Sequence, residues 1–387
     1  MKPPAYDIDL VEFSKDPYPF LKEMRAKVPI CYVPQLDAVL LNKRDDIFIC
    51  EKNIEVFASS QPGGLMTVLM GENMMRKDGD AHMHERKAIF PTISPKTVAN
   101  QWQQQFETLA DEILDELFKQ NEMDVVADYA MRLSSGALKI VTGLMQADWW
   151  DMDRWSQSMI DGIANYAGDK EIEKRCNTAT AEIDAAITER MEALKRGPDQ
   201  SMLSVLLGSD LPESSIRANI KLAISGGQNE QRDAIAGCVW ALLEHSDQMD
   251  IVRSKTIGWM QVFEEYSRWM APIGMSPRRI NEDFTYNNID FIEGQRAFLM
   301  FGSANRDEDC FAKPDIFDIR QDTAKSIAFG AGPHFCAGAW ISRALVAGVG
   351  LPKLFEKFPD IKISGQNDSR FSGWAFRGLN QLRVDLH

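Results

Sequence analysis

One stretch of this sequence concentrates reactive and turn-forming residues: Phe329-Gly330-Ala331-Gly332-Pro333-His334-Phe335-Cys336-Ala337-Gly338. Its glycines and Pro333 suit a tight turn that brings backbone close to a flat ligand. Cys336 comes just before an apolar helical pattern, Ala339-Trp340-Ile341-Ser342-Arg343-Ala344-Leu345. At a helix start, free N–H groups and the positive end of the dipole favour a thiolate over a thiol. A thiolate donates electron density strongly to iron, and that donation favours cleavage of an O–O bond. The plain alternative is a glycine-rich turn around a buried cysteine.

The segment resembles the haem-binding signature of the cytochrome P450 family, Phe-x-x-Gly-x-x-x-Cys-x-Gly, through Phe329, Gly332, Cys336 and Gly338. The resemblance implies heme b with its iron on Cys336, and a loop with Phe329 and Gly330 against the cofactor. Three further matches follow the family's chain order. Glu265-Tyr266-Ser267-Arg268 fits a helical Glu-x-x-Arg with a structural role, residues at i and i+3 sharing a face. His82-Met83-His84-Glu85-Arg86 resembles the family's His-x-x-x-Arg, and implies His82 and Arg86 donating to a haem propionate, with His84 pointing elsewhere to the surface. Arg279 takes the place of the family's propionate-binding arginine in a strand, with Arg278 on the opposite face. His334 is a further propionate candidate. Gly302-Ser303-Ala304-Asn305-Arg306-Asp307 is also similar to a family segment, and the likeness runs from Asp16-Pro17-Tyr18 to the C-terminal strands.

The oxygen-activation segment departs from the family. Where members usually read Ala-Gly-x-(Asp or Glu)-Thr, this chain has Ser225-Gly226-Gly227-Gln228-Asn229-Glu230-Gln231-Arg232. Counting back from Leu242-Leu243-Glu244-His245 puts Asn229 at the acid and Glu230 at the alcohol, and keeps the glycine in place. A shift of one residue makes Glu230 the acid and Gln231 the alcohol. The first register is preferred because it keeps the glycine, and in it Gly226 and Gly227 widen the helix where substrate and oxygen approach. A carboxylate at Glu230 can do general acid–base work itself, so hydrogen peroxide is expected to drive turnover as well. The bland reading pairs Glu230 with Arg232.

This amide–Glu pair, with Gly373-Trp374-Ala375-Phe376-Arg377-Gly378-Leu379, is similar to bacterial members of the family that demethylate guaiacol-type aryl methyl ethers. The resemblance implies Phe376 near the haem, with Gly226, Gln228 and Ile273 as further substrate contacts. Gln228 and Asn229 are polar enough for a hydroxylated substrate, which keeps a methylated sugar open. C–H hydroxylation of a terpene, fatty acid or other small apolar molecule is the competing reaction. A haem-thiolate sensor or electron carrier is the competing class, and the glycine pair argues against it. Other expected pocket segments are Gly63–Met70, Ile163–Tyr166 and Pro272–Met275, where Met-rich walls are adaptable and weakly diagnostic.

These groups need a scaffold. Helical periodicity predicts Pro19–Lys27, Val98–Gln120, Met123–Leu144, Trp155–Ala167, Thr178–Leu194 and a long helix over 215–245. Breaks are expected at Gly168-Asp169 and Arg196–Asp199. Strands are expected at Ile30–Val33, Ala38–Leu41, Phe284–Tyr286, Gln295–Met300 and Gln381–Leu386. The pattern is an α+β, mainly α fold with a small β lobe, and the 387 residues are expected to form one domain, 1–387. A net charge of −14 argues against nucleic acid or anionic membrane as partner. No apolar run approaches the ~20 residues of a membrane span, so a cytoplasmic protein is expected. Six cysteines without a C-x-x-C pair fit reduced thiols rather than a disulfide or zinc framework. No flavin, iron–sulfur or dinucleotide signature is present, which implies a separate ferredoxin or flavin-linked NAD(P)H reductase.

Overall fold

Runs of Val, Ile, Leu and Phe bounded by turn residues build the largest sheet, in the order Ile30–Val33, Ala38–Leu41, Arg296–Leu299, Ser276–Ile280, Phe57–Ala58. The first two strands form the expected hairpin, Ile30 opposite Leu41. Ala38–Leu41 then runs parallel to Arg296–Leu299. Every residue of Ala38–Leu41 is buried because the strand is covered on both faces. Val39 and Leu41 join one apolar cluster with Ala297, Leu299 and Phe57. Ala38 and Leu40 join another with Phe298, Met300 and Phe13. A continuous apolar run is what a strand buried on both faces requires.

The computed structural model describes residues 1–165 and 168–387 and divides into two compact units. The first comprises Met1–Ser60, Ala236–Cys336 and Asn367–Leu382, and carries the five-stranded sheet. The second comprises Gln61–Ile235, Ala337–Gln366 and Arg383–His387. It is helical apart from a small sheet, Glu122–Asp124, Arg383–Asp385 and Lys362–Ile363. The α+β, mainly α expectation holds. No described helix is long and apolar enough to cross a membrane. No disulfide joins any of the six cysteines; four are buried, and Cys310 and Cys336 are partly exposed.

Several boundaries differ from the periodicity. The helix expected from Met123 starts later, because Met123 pairs with Val384 in the small sheet. Its helical part is a wide turn at Val125–Ala130 followed by Met131–Thr142. The helix expected over Val98–Gln120 likewise opens with a wide turn, Val98–Trp102, before Gln103–Leu117. The segment expected as Trp155–Ala167 is helical over Trp149–Ile163, and Tyr166 and Ala167 lie outside the described residues. Thr178–Leu194 extends to Lys170–Arg196, capped by the Asp169 side chain on the Glu171 and Ile172 N–H groups. The long helix over 215–245 is two helices, Glu213–Ser225 and Asn229–Glu244. The break falls on Gly226, Gly227 and Gln228.

In the first unit, helix Trp259–Met270 holds a fully buried ion pair, Glu265 with Arg268. Arg268 donates to both oxygens of Glu265, at 2.7 and 2.8 Å. It also donates to the carbonyls of Asn305, Pro314 and Ile316. Glu265 in turn accepts the Asp318 N–H at 2.9 Å. The pair therefore ties the helix to the irregular chain that leads toward Cys336. Arg268→Ala would leave a buried carboxylate and three carbonyls without their donor. It is expected to lower unfolding stability by about 3–5 kcal/mol in urea titrations. A loss below about 1 kcal/mol would show that the pair is not what secures this chain.

Candidate active site

In the first unit, the loop around Cys336 is shaped by its glycines. Gly330 and Gly332 have φ of 71° and 61°, a region that disfavours a side chain. A Cβ on Gly330 would sit 3.0 Å from Glu51 Oε1, and one on Gly332 would sit 3.0 Å from Lys52 Cγ. The Cys336 N–H donates to the Phe329 carbonyl at 2.8 Å, which closes the loop. The Phe335 N–H donates to the Gly332 carbonyl at 3.2 Å, forming the short turn Gly332–His334. Phe329 packs edge-on against Phe263, with centroids 6.0 Å apart. Cys336 is half-buried, and the chain enters helix Ala339–Ser342 three residues later.

Two polar partners of this loop carry no signal in the sequence. Glu51, buried at the end of helix Arg44–Cys50, accepts the Ala331 N–H through Oε2 at 2.7 Å. Its Oε1 lies 3.4 Å from Nη2 of Arg278. Burial pushes the Glu51 carboxyl up to about 7, against the lowering effects of Arg278 and the Ala331 N–H. His334 Nε2 is 3.0 Å from Ser59 Oγ.

The two strand arginines do face opposite ways, as alternation requires. Arg278 is the buried one and also donates to Ser276 Oγ at 2.6 Å, whereas Arg279 is half-exposed and reaches Asn281 Oδ1 at 3.4 Å. The arginine on the side of Glu51 and the cysteine loop is therefore Arg278, where the family resemblance pointed to Arg279.

Ile273 and Phe376 are brought together as partners of an antiparallel bridge. The Gly274 N–H donates to the Ala375 carbonyl at 2.8 Å and the Arg377 N–H to that of Pro272 at 2.9 Å. A Cβ on Gly274 would fall 2.0 Å from the Trp374 carbonyl, so only glycine permits this approach. Both Ile273 and Phe376 remain half-buried.

In the second unit, His82 and Arg86 lie one turn apart on helix Gly79–Ile93, His82 buried and Arg86 half-buried. His84 faces outward and pairs with Asp210 at 3.1 Å, the surface position expected of it. Between them, Glu85 is buried, paired with Lys77 and hydrogen-bonded to Asn219 Nδ2 at 2.8 Å. The Gly63–Met70 segment is a turn leading into helix Leu65–Met70.

At the helix break, a Cβ on Gly227 would lie 2.4 Å from the Ala223 carbonyl and 3.2 Å from Leu138 Cδ1. Gly226 is exposed and Gly227 half-exposed, between buried Ser225 and Gln228. The Arg232 N–H donates to the Gln228 carbonyl at 3.1 Å and restarts the helix. The two amides turn toward helix Trp149–Ile163. Gln228 Nε2 donates to Asp153 at 2.9 Å, and Asn229 Nδ2 donates to Gln157 Oε1 at 3.2 Å. Gln231 Nε2 reaches Ser342 Oγ at 3.4 Å.

Glu230 stands apart from these contacts. Part of its stem is accessible, yet both carboxylate oxygens are buried and neither has a hydrogen-bond partner. Arg232 is engaged with Asp233 at 2.9 Å and Asp153 at 3.4 Å, so the bland pairing with Glu230 does not form. Burial pushes the Glu230 carboxyl up to about 7; its own N–H and Arg232 oppose the rise, and Asp233 adds to it.

These residues fit a thiolate-held haem. In the first unit Cys336 supplies one soft ligand on a loop stripped of side chains at Gly330 and Gly332, with His334 and Arg278 as donors for carboxylates. In the second, His82 and Arg86 are donors of the same kind. There too, Gly226 and Gly227 break the helix beside the buried, unpartnered Glu230 carboxyl. An open groove along helix Lys170–Arg196 contains none of these groups.

Comparison with known proteins agrees. The family profile for cytochrome P450 matches residues 260–366. The chain is 27% identical over 325 residues to the polyketide biosynthesis cytochrome P450 PksS of Bacillus subtilis (strain 168), covering 82% of this chain and 78% of that one. It is 26% identical to a steroid C26-monooxygenase of Rhodococcus jostii (strain RHA1), covering 95% and 82%. The crystal structure of P450BioI in complex with an acyl carrier protein ligated to hexadec-9Z-enoic acid superposes with a TM-score of 0.89. The match covers 97% of this chain and 100% of that one, at 24% identity. The fold is that of the cytochrome P450 enzymes. The chain has the cytochrome P450 fold and is similar to that family's haem-thiolate monooxygenases, which use dioxygen and an external electron donor.

Glu230 gives a test of the site without turnover. A carboxyl raised from an ordinary value near 4.5 to about 7 stays protonated in the fold after the unfolded chain has ionised. Its contribution is therefore fully present at low pH and falls as pH rises from about 4.5 to 7. Glu230→Gln removes that penalty. At pH 8 the variant is expected to be more stable than the parent by on the order of 2–3 kcal/mol, with no gain at about pH 4.5. Equal urea midpoints for parent and variant at both pH values would mean that Glu230 is not buried in the way described.

Proposed function

We propose that the enzyme carries out oxidative O-demethylation of a small methoxylated compound, an aryl methyl ether or a methylated sugar, with Glu230 handling protons. The observation that carries the proton role is the buried, unpartnered Glu230 carboxyl beside the glycine break. At a value near 7 it can both give and take a proton at neutral pH. When bound, the thiolate-ligated haem supplies the oxidant that inserts one oxygen atom from O2 into a C–H bond.

Cys336 ligates the iron. Phe329 and Gly330 shape the loop against the cofactor, while His82, Arg86 and His334 donate to its propionates. Arg278 takes the role first expected of Arg279, because it lies buried on the loop side of the strand. Gly226 and Gly227 leave room for substrate and oxygen. Asn229 and Gln228 anchor the break through Gln157 and Asp153, which keeps Glu230 in place; Gln228 Oε1 is buried without a partner and offers an acceptor for a hydroxylated substrate. Ile273 and Phe376 present the apolar wall. Residues 1–387 act as one domain in this reading, fed by a separate ferredoxin or flavin-linked NAD(P)H reductase.

The substrate methyl group, O2, two electrons and two protons give a hydroxymethyl ether and water. The hemiacetal then splits into formaldehyde and the free alcohol or phenol. Glu230 returns to its starting protonation once it has passed on a proton and recovered one from solvent.

The second reading is C–H hydroxylation of an apolar molecule. It is supported by the relative named as a steroid monooxygenase and by the methionines of Gly63–Met70. A formaldehyde-release screen of methoxylated phenols, benzoates and sugars with a surrogate reductase separates the two. At least one ether is expected to release formaldehyde in step with electron consumption. With that ether, Glu230→Ala is expected to lose about 10²-fold or more in rate and in peroxide-driven turnover. If all ethers are inert while hydrocarbons are hydroxylated, demethylation is wrong; an unaltered Glu230→Ala enzyme removes the proton role.

A further inference from the structure

Glu51 belongs to no motif, yet it joins three separate pieces of the first unit. It sits just past the C-terminal end of helix Arg44–Cys50, where its N–H donates to the Ile47 carbonyl at 2.8 Å. One carboxylate oxygen holds the Ala331 N–H at 2.7 Å and the other faces Arg278 at 3.4 Å. The side chain is only 2% exposed. Glycine at 330 suits this approach, since φ there is 71° and an added Cβ would stand in tight contact, 3.0 Å from Oε1. A buried carboxylate with two such partners fixes both: the N–H has no water to turn to, and the guanidinium is held on one side of its strand.

We propose that Glu51 is a positioning residue for the thiolate centre, setting the cysteine loop through Ala331 and orienting Arg278 at the same time. The inference rests on Cys336 as iron ligand. Glu51 touches neither iron nor substrate. It acts by keeping the turn from Phe329 to Cys336 in one shape, so that the sulfur is presented deprotonated and in place. Without it, the Ala331 N–H and the Arg278 guanidinium each lose a buried partner, and the loop gains the freedom to relax.

Two variants of the holoenzyme test this. Glu51→Ala removes both contacts, whereas Glu51→Gln keeps an oxygen that can accept the Ala331 N–H in nearly the same shape. Transfer of haem to apomyoglobin and the absorption of the reduced carbonyl complex are the readouts, with thermal unfolding run alongside. Glu51→Ala is expected to lose haem at least about tenfold faster, since a buried donor left unmade costs more than a typical exposed contact. Part of its carbonyl complex should move from the red-shifted thiolate band to the protonated-thiol band. Glu51→Gln should recover the thiolate band.

If Glu51→Ala keeps the parent's haem-loss rate and carbonyl band, the proposal is overturned. It is equally overturned if both variants lose thermal stability while their carbonyl bands stay intact, because that describes support of the fold alone. Should Glu51→Ala not accumulate, a Glu51→Gln band shifted as far as that of a loop-disrupted Gly330→Ala variant also overturns it, and a recovered band supports it. A parent enzyme that itself lacks the red-shifted band would instead remove Cys336 as ligand, which is a different failure.

Discussion

Removing a charged group from water costs several kcal/mol unless the protein supplies equivalent partners. This chain treats that constraint in three ways, and much of its architecture follows. At Glu265 and Arg268 every donor and acceptor is used, by each other and by four backbone groups from a distant part of the chain. Such a pair adds modest net stability, but it admits only one arrangement of the chain around it. At Glu51 the compensation is partial, with one backbone N–H and one arginine. At Glu230 it is almost nil, and the carboxyl answers by holding its proton to about neutral pH. The three carboxylates form a series, from full through partial to minimal compensation of their buried charge.

Backbone geometry does the complementary work. Gly330, Gly332 and Gly274 stand where a side chain would strike a neighbour, and each lets two chain segments approach closely. Gly227 does so at the break between Glu213–Ser225 and Asn229–Glu244. The break turns Glu230 into a residue of a helix's first turn rather than of its middle. There the free N–H groups favour negative charge, which opposes burial and brings the carboxyl into a range useful for proton transfer instead of leaving it permanently neutral.

Much of this is legible in the order of the residues alone. The spacing around Cys336, the Glu265–Arg268 pair, the hairpin at Ile30–Leu41 and the departure at Glu230 are local patterns, and local patterns survive in a linear text. The illegible parts depend on partners far away in the chain. Met123 is a strand residue because Val384 lies beside it. Alternation puts Arg278 and Arg279 on opposite faces, but which face is buried is decided by what packs against it, the apolar cluster around Ile280 and the Glu51 carboxylate. Gln228 and Asn229 read as polar walls for a substrate, and Asp153 and Gln157 claim their amide nitrogens instead. Glu51 itself offers no signal beyond an acid following an apolar cysteine at a helix end.

The bridge between Ile273 and Phe376 has an evolutionary corollary. Its register is written in main-chain hydrogen bonds and in the glycine at 274, so it does not depend on which side chains stand at 273 and 376. Substitutions there change a surface without loosening the frame beneath it. Lineages descending from such a protein can therefore vary the side chains at these two distant points of the gene while inheriting the same skeleton.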